Sequence, residues 1–487
     1  MKKLVSLVLA LCMLLSVVAV ASAEDKVVIN VWRKCFNLGT PDQEQVKKVE
    51  DAINAYIADK INVEIRLTDK SAEYEDQAKM GLANKEIDLI WTASWESTIG
   101  TNDLVPANAV ADITDYLPGT ALYGSMSEGQ WEATKYNGRN YFIPVYKDNV
   151  EGYDFMFRKE LVDQFGWDIT TVKELADLEP MLEDMKNAGL KYPYLTQKTA
   201  MFYRWMIDEF DFFTADATTN FFSVDRETNT VVNTIQTEEY KEFCKLMGSW
   251  VEKGYIHEDD YTKVTTDTTT QTKDWGVSWW TDIPVNAEAN ARYGQEVVMT
   301  PATNRYAHST SALGSCYAIA VHCDEAKIKA CIDFMGLLYT DATLADMYTF
   351  GIEGEDFTYT QEDGQTIKHV TQASDKYNHS MWESANATIV TPLANEPDNK
   401  ADLYDAFNGG ALTSVAAGFR YDKAPVEAKY AACQALFEQY GFALENGAVP
   451  ADDVEAYIEQ YQADLDAAGY QDVLAEFQAQ YEAWKAE

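Results

Sequence analysis

Positive charge is scarce in this chain of 487 residues: 39 Lys and Arg stand against 79 Asp and Glu, a formal net charge of −40. Such a surface repels phosphate backbones and anionic headgroups, so no nucleic-acid partner and no electrostatic docking on lipid is expected. Histidine is scarcer still. The five present, His257, His308, His322, His369 and His379, form no HExxH pairing, and no metal site is expected. Neither the GxGxxG of a dinucleotide site nor the GxxxxGK[ST] of a phosphate loop occurs, so no cofactor is expected, and the GxSxG elbow of a serine hydrolase is missing too. With 25 Gly and 12 Pro the chain is neither collagen-like nor low in complexity. Past the N-terminus no run approaches the roughly 18 apolar residues that cross a bilayer.

The N-terminus reads as a leader. Lys2 and Lys3 precede the apolar run Leu4–Val20, and Ala21-Ser22-Ala23 supplies the small residues of a cleavage site, giving a signal peptide over 1–23 and a mature start at Glu24. Cys12 lies inside the apolar run behind Leu11, which is not the surrounding of a lipid-attachment cysteine. The product is expected to be exported, extracellular or associated with the cell surface, or periplasmic where a second membrane exists. Six cysteines remain, Cys35, Cys244, Cys316, Cys323, Cys331 and Cys433, without CxxC spacing, and free buried thiols are expected.

The 47% of apolar residues supply a large core, and the length exceeds one ordinary domain, so two or more lobes are expected. Val27–Trp32 alternates as a strand; Thr40-Pro41-Asp42-Gln43 reads as a helix start before Val46, Val49, Ile53, Tyr56 and Ile57 on one face. Ile61–Leu67 reads as a strand, Ser71–Asn84 as a helix and Ile87–Trp91 as a third strand. This alternation predicts a parallel sheet with crossover helices, with ligands beyond the carboxyl ends of the strands. There lie Lys34-Cys35-Phe36-Asn37 and Thr92-Ala93-Ser94-Trp95. Further on, Asn137-Gly138 forms a turn between short strands, and the stretch Asn149–Leu161 contains Gly152, where the chain can change direction.

The Asn-Gly-Arg turn, the Ile143-Pro144 strand end, and Tyr153–Arg158 running into Lys159-Glu160-Leu161 resemble the family 1 extracellular solute-binding proteins of ABC importers, the group that includes maltose-binding protein. Tyr348–Phe357, with its Gly351-Ile352-Glu353-Gly354 core, is similar to a segment of that family's longer Gram-positive members, and a hairpin over Thr358–Val370 turning at Asp363-Gly364 follows it. The resemblance implies an α/β, two-lobed fold of the class II periplasmic-binding type, with hinge crossings and no enzymatic activity. The expected division is lobe 1 over 24–150, lobe 2 over 151–270, a return to lobe 1 over 271–320 beginning with Thr272–Trp280, and lobe 2 again over 321–487. The C-terminus reads as helices, with Val454, Ile458, Tyr461 and Leu465 on one face, Gly469 as a break, and Val473, Phe477, Tyr481 and Trp484 continuing.

Aromatics make up 13% of the chain. A sugar offers an apolar C–H face and a rim of hydroxyls, so it needs flat rings for the first and carboxylates or amides for the second. Trp95 is the best candidate platform, Trp91 ends a strand as a core or cleft residue, and Trp279-Trp280 with Asp282 place one Trp on each side of an extended segment. The resemblance adds Glu151 as a hydroxyl-binding carboxylate, Tyr194 as a stacking ring with Tyr203 nearby, and Trp382 and Asn395 in a segment that nears the cleft. Phe36 replaces a polar pair found in maltose-binding protein, which argues against maltose itself. The expected ligand is an oligosaccharide, the expected partner an importer permease, and the protein a monomer. A secreted glycoside hydrolase using two carboxylates, a cationic ligand in an acidic aromatic cage, and a non-transport surface protein stand as alternatives.

Overall fold

A computed structural model describes residues 26–486 except 197–198, 213–220, 259, 261–272, 286–288 and 291–292; the expected signal peptide lies outside the described residues. The chain opens with strand β1 (Val27–Lys34), helix α1 (Gln43–Ile57), β2 (Val63–Lys70), α2 (Tyr74–Ala83) and β3 (Leu89–Thr92). Val31 of β1 lies opposite Leu67 of β2 and Leu89 of β3, both in parallel register, as the alternation predicts. Helix α1 buries Val46, Val49, Ile53 and Ile57. Its cap is Asp42, which accepts from the Glu44 and Gln45 amides, and not Thr40. Pro41 stands ahead of the cap, and the Asp42 carboxylate meets two orphan amides where the helix dipole favours negative charge.

Asn137 and Gly138 both take positive φ, 49° and 73°, which is the turn that joins strands of natural twist. After it comes β4 (Phe142–Pro144), the last of these strands in the first lobe before the hinge. The second lobe holds β5 (Tyr153–Arg158), β6 (Tyr192–Tyr194), α3 (Glu238–Lys253), β7 (Trp275–Thr281) and β8 (Val297–Pro301), with sheet order β8-β5-β7-β6. The chain then returns as β9 (Cys316–Ile319), which completes a first sheet of order β2-β1-β3-β9-β4 and runs antiparallel to β3 and β4.

Two expected boundaries are corrected here. Of the expected return Thr272–Trp280, the described residues do not go back to the first lobe, because β7 pairs with β5 and β6; the return comes after β8. Helices α4 (Glu325–Leu338) and α5 (Ala342–Phe350) belong to the first lobe and not the second, since Ile328, Phe334, Leu344 and Tyr348 join the core of Ile29, Val31 and Ile90. The hairpin after them forms between Phe357–Thr360 and His369–Gln372. From Ala416 the chain is back in the second core, where α6 (Val454–Ala468) and α7 (Tyr470–Lys485) bury Ile458, Tyr461, Phe477 and Tyr481, with Gly469 at φ 96° between them.

Three crossings lie side by side at the hinge. Glu151 bridges Tyr306, and Tyr306 pairs in turn with Leu412. Gly152 leaves little room there: a Cβ would stand 3.1 Å from the Asn304 carbonyl oxygen, a tight contact that the neighbouring crossing would have to yield to. Among the described residues no helix is long and apolar enough to cross a membrane.

Candidate functional site

The carboxyl ends of β1 and β3 bring together four of the rings singled out in the sequence. Phe36 lies 4.7 Å from Trp382, 5.3 Å from Trp91 and 5.9 Å from Trp95, between ring centres. Trp95 and Phe36 are 38% and 37% exposed, whereas Trp91 is fully buried and forms the floor. The Trp91 indole donates to Ser315 Oγ at 2.9 Å and the Trp95 indole to the Gly314 carbonyl at 2.6 Å, so the segment before β9 fixes both ring planes. Lys34 Nζ sits 5.0 and 5.4 Å from the Phe36 and Trp95 ring centres and binds Glu96 at 2.6 Å. Asn37, exposed beside Phe36, donates to Asn378 Oδ1 and Ser380 Oγ.

Trp382 reaches this cluster because a buried ionic chain clamps the segment that carries it. Arg33 binds Asp69 through Nε and Nη2, and Asp69 also meets His379 Nε2 at 2.9 Å, while His379 Nδ1 meets Glu383 at 3.1 Å. Burial alone would raise the Asp69 carboxyl, but Arg33 and His379 outweigh it and hold Asp69 well below the usual carboxylate range. Burial and Arg33 push His379 down, yet Asp69 and Glu383 carry its imidazole above the ordinary value.

A second cluster sits at the hinge end of the other lobe. The Arg204 guanidinium lies 3.7 Å over the Trp279 ring and 4.4 Å over Tyr203, whose ring is 5.8 Å from Tyr153. Glu151 binds His308 Nε2 at 2.6 Å and accepts from the Tyr153 hydroxyl. Burial works against the Glu151 carboxylate, but His308 and Tyr153 bring its pKa below the usual value. His308 and Thr310 line a crevice with Asn102 of the first lobe and Asp211, Phe212 and Tyr421 of the second. Lys423 of the second lobe reaches Asp103 of the first at 3.1 Å.

The remaining expected residues lie elsewhere. Tyr194 is fully buried against Trp250 at 5.0 Å, a core residue and not a platform, because β6 is an inner face of the second lobe. Trp280 points to the opposite face of β7 from Trp279 and packs on Tyr293 at 5.4 Å. Asp282 is buried on that same face and paired with Arg305; burial together with Asp282 pushes the neighbouring Asp154 up to about 8. Asn395 is exposed in the loop whose Pro392 and Ala394 pair with Val370, and neither aromatic cluster includes it.

Lys34, Glu96, Arg204, His308 and the Arg33–Asp69–His379 chain were not among the site residues the sequence suggested. Lys34 and Glu96 had a signal, their places in the loop after the first strand and directly after Trp95; the others depend on contacts far apart in the chain. The six cysteines are buried and unpaired, with burial raising each thiol, Cys35 and Cys323 to about 12, so none is an activated nucleophile. Asp88, His322 and Cys323 have ligand atoms within 4.8 Å of one another, but Lys327 holds both Asp88 oxygens at 2.7 and 2.8 Å.

The profile of bacterial extracellular solute-binding proteins matches residues 51–353. The chain belongs to this family. A domain of unknown function (DUF3502) matches residues 415–486, which contain the two C-terminal helices of this solute-binding protein. A carbohydrate ABC transporter substrate-binding protein of Streptococcus pneumoniae is 24% identical over 383 residues, 77% of this chain and 76% of the relative. The solved N-glycan transport solute binding protein NgtS of the same organism superposes with a TM-score of 0.79 at 21% identity, covering 94% of this chain and 99% of that one. A human-milk-oligosaccharide (HMO) binding, ABC-transporter-associated solute binding protein of Bifidobacterium longum infantis gives 0.62 at 17% identity, with 95% and 99% covered. These likenesses establish the two-lobed α/β fold.

Proposed function

We propose that this solute-binding protein is the capture subunit of an ABC importer, which takes up an extracellular oligosaccharide between its lobes and passes it intact to a membrane permease. The observation that carries this reading is the ring surface of Phe36, Trp95 and Trp382 at the carboxyl end of the first sheet, backed by buried Trp91. Sugar rings stack on such a surface through their C–H faces, and Asn37, Glu151 and Tyr203 supply polar partners for hydroxyls. Support comes from relatives. The S. pneumoniae protein carries a carbohydrate-transporter name, and NgtS was solved with Man1GlcNAc and with Man5GlcNAc.

Micromolar capture corresponds to about −8 kcal/mol. Stacking adds about 0.5–1.5 kcal/mol per ring beyond area burial, and charge-assisted hydrogen bonds add more, so reversible capture needs no covalent step. We read the protein as non-catalytic, exported and monomeric. The cationic-ligand alternative is disfavoured by the chain's own cations: Lys34 already lies by Phe36 and Trp95, and Arg204 lies over Trp279, so a cation would meet like charge on both platforms. Titration calorimetry of the mature protein against mannose-containing, N-acetylglucosamine-containing and milk-type oligosaccharides tests the reading, with each glycan recovered afterwards. Saturable binding and intact recovery are expected; cleaved glycan moves the assignment to the hydrolase.

A further inference from the structure

A buried cation without a carboxylate partner sits where the second lobe meets the cleft. Among the described residues three arginines are buried: Arg33 pairs with Asp69 at 2.7 Å, Arg158 with Glu160 at 3.1 Å, and Arg204, 6% exposed, with no carboxylate. Its short helix, Phe202–Trp205, follows the carboxyl end of β6, and Trp279 stands near the carboxyl end of β7, the positions where such sheets bind ligands. Both flanks of the cluster reach the crevice between the lobes. Tyr203 meets Phe212 at 6.1 Å between ring centres and Glu151 meets His308 at 2.6 Å, and Phe212 and His308 line that crevice with Asn102 of the first lobe.

Taking a guanidinium out of water is costly unless other groups replace the solvent. Here the faces of Trp279 and Tyr203, 3.7 and 4.4 Å away, replace part of it, and Nη1 donates to the Ala200 carbonyl. Nε is buried and donates to nothing among the described residues, and no acceptor there meets Nη2. Nε and Nη2 form the edge of a guanidinium that grips a carboxylate with two parallel bonds. The chain uses that edge twice elsewhere: Arg33 binds Asp69, and Arg305 binds Asp282, through Nε and Nη2. At Arg204 the same edge is open. The Trp279 indole N–H beneath it is a second buried donor without an acceptor among the described residues. Carboxylates of the neighbourhood already serve other donors, Glu151 the Tyr153 hydroxyl and His308, and Glu445 the Met201 and Phe202 amides at 2.6 and 3.0 Å.

We propose that Arg204 is a specificity-determining residue for an acidic sugar, its Nε–Nη2 edge binding the carboxylate of a sialic or uronic acid unit. A hydroxyl or an acetamido oxygen meets one of the two donors and leaves the other bare; a carboxylate meets both. The assignment rests on the oligosaccharide reading and narrows it, since the guest then carries at least one acid unit. The pair forms out of water, where salt screens little, so it adds no steep salt dependence. The net charge of −40 slows the approach of such a guest and leaves the local pair in place.

Calorimetry of the mature protein compares 3′-sialyllactose with its methyl ester, and trigalacturonate with its methyl ester; the ester removes the charge and keeps the sugar. In at least one pair the acid is expected to bind about tenfold or more tighter than the ester, and the pair that shows the preference tells sialic from uronic acid. In Arg204→Gln the acid-to-ester ratio is expected to fall toward one. In Arg204→Lys, which keeps the charge and loses the fork, it falls part of the way. The wild-type comparison needs no variant and stands even where Arg204→Gln does not fold. Equal affinity of acid and ester in both pairs, or a preference that survives in Arg204→Gln, overturns the carboxylate subsite. An effect of Arg204→Gln confined to neutral N-acetylated glycans overturns it in favour of an amide oxygen. Neutral glycans bound without any acid preference overturn it and leave the oligosaccharide reading standing. Benzoate bound through Arg204 while no glycan binds contradicts the oligosaccharide reading and leaves the subsite supported; no carboxylate bound at all overturns the subsite.

Discussion

Arg33 and Asp69 stand opposite each other at the paired ends of β1 and β2, joined by contacts of 2.8 and 2.7 Å in a region shielded from solvent. The pair does more than join two strands. Asp69 also binds His379, so it holds the segment that presents Trp382 to Phe36. Replacing Asp69 by Asn leaves a buried guanidinium without its counter-charge, which costs about 3–5 kcal/mol. A lower urea midpoint and a weakened glycan affinity are expected together; loss of neither shows that the clamp is dispensable.

The same clamp predicts a pH signature. His379 is raised in the folded state, so its contribution is fully present below its ordinary value and is lost as pH rises through the raised one. Asp69 is lowered, so its contribution is present above the usual carboxylate range and is lost as pH falls toward the depressed value. The stability gap between wild type and His379→Asn, from urea unfolding, is expected to shrink as pH rises above the ordinary imidazole value. A constant gap means that His379 is neutral throughout.

Trp95 and Trp91 are four residues apart in sequence and 5.9 Å apart between ring centres, but differ in role. Trp95→Ala is expected to weaken glycan binding by about tenfold, equivalent to about 1.4 kcal/mol, with little change in melting temperature. Trp91→Ala empties a fully buried site and is expected to cost about 3–5 kcal/mol of stability. Calorimetry and thermal melts on the two variants separate platform from floor.

Tyr194 gives the converse case. Tyr194→Ala is expected to lower stability by about 3–5 kcal/mol while the folded fraction keeps its glycan affinity, because the ring packs on Trp250 inside the second core. Weakened binding in fully folded protein restores Tyr194 to the site.

Asp154 stores charge strain beside the hinge. Burial and Asp282 raise it to about 8, so the folded chain keeps a proton that the unfolded chain gives up, and stability falls as pH rises between the usual carboxylate range and that value. Asp154→Asn is expected to raise the melting temperature above about pH 8 and to change it little near about pH 4. An equal shift at both ends speaks against a retained proton.

Local patterns explain which parts of this fold were legible in the sequence. The β1-α1-β2-α2-β3 alternation, the turn at Asn137-Gly138 and the break at Gly469 depend on neighbours within a few residues, and each is present. The strand at Trp275–Thr281 was also legible as a strand, but its sheet was not, because alternation reports which side faces the core and carries no information about the partner strand. The stretch from 321 that carries helices α4 and α5 was placed in the wrong lobe for the same reason. At the site, Phe36 and Trp95 were readable as rings at strand ends and Trp382 came only from the resemblance, in a segment that forms the short helix Met381–Ser384, whereas Tyr194 showed the same residue type in a buried strand. Asp69 and His379 lie 310 positions apart along the chain, and their meeting with Arg33 depends wholly on tertiary packing.

Ionic strength separates a neutral guest from a charged one. Glycan affinity is expected to change little up to about 0.5 M salt, whereas a dicationic ligand in this acidic protein weakens clearly. A steep salt dependence returns the cationic ligand to first place.

The most direct measurement is a crystal structure of the mature protein with the oligosaccharide that binds best in calorimetry. The account predicts a sugar ring stacked on Phe36 or Trp95 with Trp382 beside it, and hydroxyls reaching the Glu151 and Tyr203 side of the other lobe. A sugar bound away from all three rings, or only on the Trp280 face of the second sheet, contradicts it.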